Sequence, residues 1–600
     1  MTDLSVKPSL ELGIIGNAAT AALVDRFGDI VWMCLPRFDG DPAFCSLLEP
    51  KVGPQDGVWS VRCDDLTETR QSYRRNTAIL ETVQIDAQGN SLRIIDFLPR
   101  FRDRGRMFRG RTLVRIIEPL QGMPRITTRL RPRHGYGAHS ATVRRGSNHL
   151  RYELGEERLR LTTSAPVEFV LNETPFLLDR PRVFLLGPDE PLSEAPEVLA
   201  ASFLDRTQGY WADWVRALSI PPDYQDAVIR AAITLKLCEY EETGAIVAAL
   251  TTSIPEYQGT GRNWDYRYCW LRDSFFTVKA LNSLGVTKTM EDYLEYVLNL
   301  ATGSPDGYMQ PLFGLGHERV IVEESCDALA GYAGNAPVRR GNAAYVQVQN
   351  DGYGSVILAV SQCFFDERLP RLGGIDLFHR LEVLGEQAVA RWNTPDAGLW
   401  EFRTRESIHT HSAMMCWGAC DRLARIAAHL GLEDRATRWG AEAAKIREAI
   451  EAYGWSETRQ SYVMAFGSDD LDASLLLMTE IGYTTGANPR YRATVLAIEA
   501  ELRQGHHLFR YKTPDDFGAP ETAFTACTFW LIDALSRLGR TDEAREIFAA
   551  VLAQRNSLGL LSEGVHVASR TLWGNFPQTY SMVGLINAAG KLSRRWEDVV

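Results

Sequence analysis

From Leu12 to about Leu186, apolar and polar residues alternate in short runs punctuated by turn formers: TAALVDRFGDIVWMCL, GVWSVRC, TAILETVQIDAQGNSLRIIDFL, TLVRIIEPL, HLRYELGEERLRLTT, VEFVL and RVFLL. A period of two places the apolar set on one face of a strand, so this region reads as antiparallel β. Gly89-Asn90 and Gly155-Glu156 fall between alternating segments, where hairpin loops belong. So many strands without intervening helices predict a sandwich. The acidic, proline-rich stretch GPDEPLSEAPE at 187–197 reads as a linker leading into a helix through Trp211 and Trp214.

After Pro221 the apolar period becomes 3.6. Helices are predicted at about 222–241, 270–285, 288–303, 341–364, 375–393, 409–430, 433–452, 470–481, 489–504, 521–539, 541–555 and 577–597. Several are apolar almost all round, as in TAFTACTFWLIDALSRLG, which suits a double-layered ring with its inner helices buried on every side. The chain therefore divides into a β-sandwich at 1–186, a linker with a helix at 187–221 and a helical domain at 222–600. Long loops between the helices are rich in Trp, Tyr, Gly and paired charges, a composition that favours function over disorder.

With 45% hydrophobic and 24% charged residues the chain has ample apolar side chain for a core, and its net charge of −11 disfavours nucleic acid and anionic lipid as partners. The arginine-dense stretch from Arg100 to Arg133 reads as solvated strand edges. The N-terminus lacks the cationic start and apolar core of a secretion leader, and no window is long and apolar enough for a membrane span, so a cytoplasmic location is expected. Ten scattered cysteines without a C-x-x-C pair read as reduced, mostly buried thiols, and the sequon at Asn172 then carries no glycan.

Two loops each carry a notable carboxylate: Trp400-Glu401 in GLWEF and Glu563 in LLSEG. A glutamate among aromatic rings loses hydration of its charged form and can hold a proton at neutral pH, while a more polar partner stays ionised and can activate water. Either residue alone is one of 76 acids, most of them surface groups. A second cluster, NWDYRYCWLRDSFF at 263–276, sets Trp264, Tyr266, Tyr268 and Trp270 among Arg262, Arg267, Arg272, Asp265 and Asp273. Aromatic faces with shared Asp–Arg hydrogen bonds suit a sugar. A buried Arg–Asp pair fixing a helix N-terminus explains the same residues, and the two readings are compatible. His409 with His411, and His506 with His507, lack further ligands at metal-site spacing, so no metal is expected. The glycines of GTGRN and GLGHE match neither dinucleotide nor phosphate loops, so no nucleotide or other cofactor is expected.

WLRDSFF, PVRRGNAAYVQVQNDGYG, GLWEF, FRYKTPDDFGAPETAFTACTFWL and LSEG followed by NFPQTYSMVGLINAA occur here in one order, and with them the chain resembles glycoside hydrolase family 15, the glucoamylases and their bacterial trehalase relatives. The opening GNAATAALVDRFGDIVWMCLPRFD is similar to that of bacterial two-domain members. The resemblance implies an N-terminal β-sandwich, a helical linker and an (α/α)6 barrel. It also implies that Glu401 is the catalytic acid and Glu563 the base, and that Arg272 and Asp273, with Trp270 close by, grip the non-reducing glucose beside Trp400. Arg510 would contact the sugar beyond the cleaved bond. Many relatives have a second acid directly after a catalytic glutamate, where this chain has Phe402 and Gly564. The implied reaction is inverting, exo-acting hydrolysis of trehalose or short α-glucosides to β-glucose, with the carboxyl groups ~6.5 to 9.5 Å apart. A phosphorylase, which needs only the acid, and a non-catalytic carbohydrate-binding or regulatory protein of the same fold are the alternatives.

Overall fold

The computed structural model describes residues 9–49, 56–304, 306–369 and 373–599. Part of the sequence argument against a secretion leader concerns residues 1–8, which lie outside the described residues.

Two antiparallel sheets form the N-terminal sandwich. One runs Leu12–Gly16, Ala21–Asp25, Ile30–Leu35, Val58–Cys63, Arg125–Arg131, Phe176–Leu177, with Asp41–Phe44 paired to Ile30–Leu35. The other runs Thr142–Arg145, His149–Leu154, Glu157–Thr163, Arg182–Pro188, Leu113–Gln121, Ser91–Phe97, Leu80–Asp86, Leu66–Tyr73. Leu154 pairs with Glu157, so Gly155 and Glu156 are the two-residue hairpin loop that the alternation indicated. Trp59, Ile94, Leu113, Ile117, Phe184 and Leu186 fill the space between the sheets. The VEFVL run, read as a strand, is instead the short helix Val167–Leu171. Its buried residues, Val167 and Val170, stand three apart, which is one helical face rather than alternate faces of a pleat.

Two arginines of the 100–133 stretch are not solvated edge residues. Arg115 is fully buried and binds Asp96 through Nε at 2.7 Å and Nη2 at 3.0 Å, and Arg100 is buried against Glu241. A guanidinium taken out of water needs such partners, because an unpaired buried charge costs several kcal/mol.

The linker helix Pro196–Arg216 begins with proline at a first-turn position, where the missing N–H is harmless. Its buried Ala200, Thr207, Trp211 and Val215 fall at helical spacing, and Ala200, with Leu204 partly buried beside it, packs on the outer face of the second sheet against Ile95, Val114 and Leu185.

The C-terminal part is a double ring. The helices Leu271–Ser283, Asp351–Ser361 and Thr410–His429, the Ala473–Leu477 and Met478–Ile481 turns, Thr525–Arg537 and Thr579–Leu592 contact one another in succession, and the last meets the first. Gln225–Leu237, Thr287–Thr302, Ile375–Arg391, Glu433–Tyr453, Pro489–Leu502 and Thr541–Gln554 form the outer layer. All eleven residues of Asp351–Ser361 are buried, as an inner position requires. The architecture is an N-terminal β-sandwich followed by an (α/α)6 barrel.

The segment predicted as one helix at 341–364 becomes helical only at Asp351. Before it, Asn342 accepts a hydrogen bond from the Ala344 N–H, and a single 3₁₀ turn, Ala343–Val346, replaces the expected α-helix. The inner member at 470–481 is likewise mostly 3₁₀, because the Asp472 side chain caps Ser474. Among the described residues no helix is long and apolar enough to cross a membrane, and all ten cysteines are free thiols.

Candidate active site

One rim of the ring opens into a cleft holding about 900 Å³ of space between protein atoms, its solvent-open mouth included. Trp270, Arg272, Asp273, Trp400, Glu401 and Arg510 all line it, so six of the seven residues singled out from the sequence meet in one hollow. The seventh, Glu563, stands one side chain behind the wall.

The short strand Cys269–Trp270 delivers the first wall. It pairs with Leu312–Phe313 and passes directly into the helix Leu271–Ser283. Arg272 and Asp273 occupy the first turn, where the helix dipole favours an acid. Trp270 Nε1 donates to Glu401 Oε1 at 2.6 Å. Arg272 reaches Gln349 at 3.0 Å, Asp351 and Glu401 at 3.4 Å each and Asp273 at 3.6 Å. Burial pushes Asp273 up to about 6 against the lowering pull of Arg272.

Glu401 sits in a tight turn at φ +59°, left-handed for a residue with a side chain. The Glu401 N–H donates to the Gly398 carbonyl and the Phe402 N–H to that of Ala397, both at 3.1 Å. Gly398, itself at φ +67°, lies where a Cβ would come within 2.8 Å of the His409 ring. Such strain persists only where the surroundings over-determine it. Here His409 is bound to Asp396 at 2.8 Å, and Asp396 also accepts from Ser412 and the Asn350 N–H. Trp400 Nε1 donates to Asp472 at 2.9 Å, which fixes the indole beside Phe524 and Trp530.

Glu563 is 2% exposed. Tyr266 OH donates to its Oε1 at 2.7 Å, and the Asn575 N–H donates to its Oε2 at 3.3 Å. Gly574, at φ +80°, presses against the carboxyl so closely that a Cβ there would lie 2.5 Å from Oε2. Burial pushes Glu563 up to about 8, the nearby Glu256 charge adds to the rise, and Tyr266, Arg510 and Asn575 oppose it. Sequence reasoning made Glu563 the polar, readily ionised partner. Its position behind Tyr266 makes it a strongly desolvated carboxyl.

Tyr266 connects the two glutamates. Its ring meets Trp270 edge-on at 5.4 Å, so Glu401, Trp270, Tyr266 and Glu563 are linked in one chain of contacts, with Glu563 behind the cavity wall. The remaining charges of the 263–276 cluster divide by role. Asp265 and Arg267 are fully buried and paired at 2.7 Å, and Arg267 continues to the Gly40 carbonyl and Tyr136 OH at 2.8 Å each, tying the loop to the sandwich. Arg272 and Asp273 alone of those charges face the cavity with Arg262. Asp265 and Arg267 are thus a buried structural pair, tying a loop to the sandwich rather than fixing a helix N-terminus, while Arg272 and Asp273 line the cavity.

Sequence reasoning missed Glu256, Asp515, Asp516 and Phe517 on the cavity wall. Glu256 carries no local signal beyond its long loop, and Asp515 and Asp516 lie just past the arginine that was singled out. His409 is taken up by Asp396, and buried His411 has no hydrogen-bond partner on either ring nitrogen; among the described residues no three His, Cys, Asp or Glu side chains are grouped to hold a metal ion.

The model of "Glycosyl hydrolases family 15" matches residues 222–590, and that of "Trehalase-like, N-terminal" matches 5–175. The chain is similar to a trehalase of Mycolicibacterium smegmatis, 31% identical with 98% of this chain and 92% of the relative covered, and to one of Thermoplasma volcanium, 30% identical over 97% and 93%. A bacterial glucoamylase solved with acarbose shares the fold at a TM-score of 0.68 and 13% identity, covering 98% of this chain and 94% of its own. With both its domains and nearly its whole length matched, the chain belongs to glycosyl hydrolases family 15 and is a hydrolase of O-glycosyl bonds of the trehalase and glucoamylase kind.

Proposed function

We propose that the protein is an inverting, exo-acting hydrolase that releases β-glucose from trehalose or short α-glucosides. The non-reducing glucose is held by Arg272 and Asp273, with the rings of Trp270 and Trp400 against its C–H faces. Glu401 protonates the glycosidic oxygen. Glu563 takes a proton from water as it attacks the anomeric carbon from the other side, through an oxocarbenium-like transition state. The observation that carries the reading is the chain of contacts from Glu401 on the cavity wall through Trp270 and Tyr266 to Glu563 just behind it. Two donors aimed at Glu563, from Tyr266 and Asn575, favour its anion, and the positive charge developing on the sugar favours it further at the moment of reaction.

Anomeric NMR during turnover tests the stereochemistry: β-glucose as first product supports the scheme, and α-glucose overturns it. The similarity to trehalases favours short substrates. Ten unpaired thiols support a reducing, cytoplasmic setting.

A further inference from the structure

Next to the glucose-gripping wall, four charged side chains close into a ring. Glu256 lies 2.8 Å from Arg510, Arg510 3.8 Å from Asp515, Asp515 2.6 Å from Arg262, and Arg262 3.9 Å from Glu256. Signs alternate around the ring, and each side chain is at most 8% exposed. All four line the cavity. Buried ion pairs seldom add stability over apolar packing but do fix one arrangement of the chain, and this ring joins the 256–262 loop to 510–515.

The ring also clasps a strap. Arg262 grips both oxygens of Asp515, at 2.6 and 2.7 Å, and donates to the Gly518 carbonyl at 2.7 Å. Tyr511 OH donates to the same carboxylate, Asp515 and Gly518 exchange backbone hydrogen bonds at 3.1 Å, and Thr513 is anchored on Asp470 at 2.6 Å. Farther along, Asp516 accepts from the Arg403 N–H at 2.7 Å and from the Thr404 hydroxyl, and Phe517 meets Trp264 edge-on at 5.1 Å. Thus 511–518 is tied on both sides. Its exposed tip, Asp516 and Phe517, lies at the mouth of the cavity, whereas Arg272 and Asp273 occupy the buried end. A substrate with its non-reducing glucose at Arg272 and Asp273 would extend toward the strap.

The geometry points to the ring of Glu256, Arg510, Asp515 and Arg262, with the 511–518 strap it holds, as the determinant that confines the space beyond the cleaved bond to one hexose, so that the enzyme takes disaccharides and rejects longer chains. This rests on the hydrolase reading above. A single, fully hydroxylated sugar suits the ring: its charged groups offer donors and acceptors in alternation, and the buried Arg510 Nε has no partner of its own. A chain continuing past that sugar would have to displace the strap and leave Arg262 or Asp515 unpaired, a cost of the size that gives strong substrate discrimination.

The test is kcat/KM for trehalose, maltose and maltopentaose with the parent, Arg262→Met/Asp515→Ala, which removes one charge of each sign, and Asp516→Ala/Phe517→Ala, which loosens the exposed tip. The parent is expected to prefer its best disaccharide over maltopentaose by about 100-fold, and both variants to lower that ratio by about tenfold or more, with maltopentaose cleavage rising. A parent that cleaves maltopentaose as well as disaccharides overturns the inference, as does a loss of equal factor on all substrates in the tip variant. If the ring variant does not fold, the tip variant decides. A parent inactive on every α-glucoside would instead remove the hydrolase reading itself.

Discussion

The two sides of the cavity are built differently. The buried side comes from one short stretch, Trp270 to Asp273, set rigidly where a strand enters an inner helix, with Glu401 added by a single strained turn. The mouth is assembled from Glu256, Arg262, Arg403 and the 511–518 strap, segments distant in sequence that are held by charge pairs. A rigid, contiguous side serves chemistry common to every substrate. A side clasped from separate loops is where substrates can be told apart, since loops vary without disturbing the barrel.

The largest effects should come from the shared side. Replacing Glu401 or Glu563 with glutamine, E401Q or E563Q, should lower kcat by about 1,000-fold or more on every substrate, because in the proposed scheme each removes a proton transfer in the transition state. Arg272→Met should cost about 100-fold in kcat/KM, again regardless of chain length, since it also leaves Asp351 and Asp273 without their cation. Steady-state kinetics on trehalose and maltopentaose measure both. A loss confined to one substrate would break the division between the two sides.

This division explains what could be read from the sequence. Strand alternation and helical period gave the two-part architecture because burial enforces them over many residues. Trp270, Arg272 and Asp273 were legible because four residues of chain hold them together, and Glu401 and Glu563 because recurring motifs mark them. Glu256 was not, since a glutamate in a loop looks like any surface acid until Arg510 arrives from more than 250 residues away. The desolvation of Glu563 was equally hidden, being the work of Tyr266, Gly574 and Asn575 from other loops. The helix predicted from 341 failed for a local reason: Asn342 caps a turn instead of continuing a helix.

The pH dependence links the two sides. In the proposed scheme Glu563 must lose its proton in the free enzyme, so kcat/KM should rise with pH through about 8. Glu256→Gln removes a negative neighbour and should move that limb to lower pH, whereas Tyr266→Phe removes a hydrogen bond to the anion and should move it to higher pH. Tyr266→Phe should also lower kcat by about tenfold. Profiles of the three proteins would settle it: shifts of the same sign in both variants would show that Glu563 does not set the limb.

The smallest effect concerns stability. Folding raises the Glu563 pKa from its ordinary 4.5 to about 8, so the folded state holds that proton more tightly than the unfolded chain. The resulting stabilisation is complete below 4.5 and is lost as pH rises through about 8. E563Q keeps a neutral group at every pH. Its amide oxygen can accept from Tyr266, but its amide nitrogen faces the Asn575 N–H, donor against donor, so a constant offset from the parent is expected. The informative quantity is therefore the slope. Between pH 5 and 9 the stability of E563Q relative to the parent should increase by up to about 4 kcal/mol, read from denaturant or thermal unfolding at each pH. A difference that stays flat over that range would mean that Glu563 ionises as easily inside the folded protein as outside it, and that Tyr266 and Asn575 offset its burial completely.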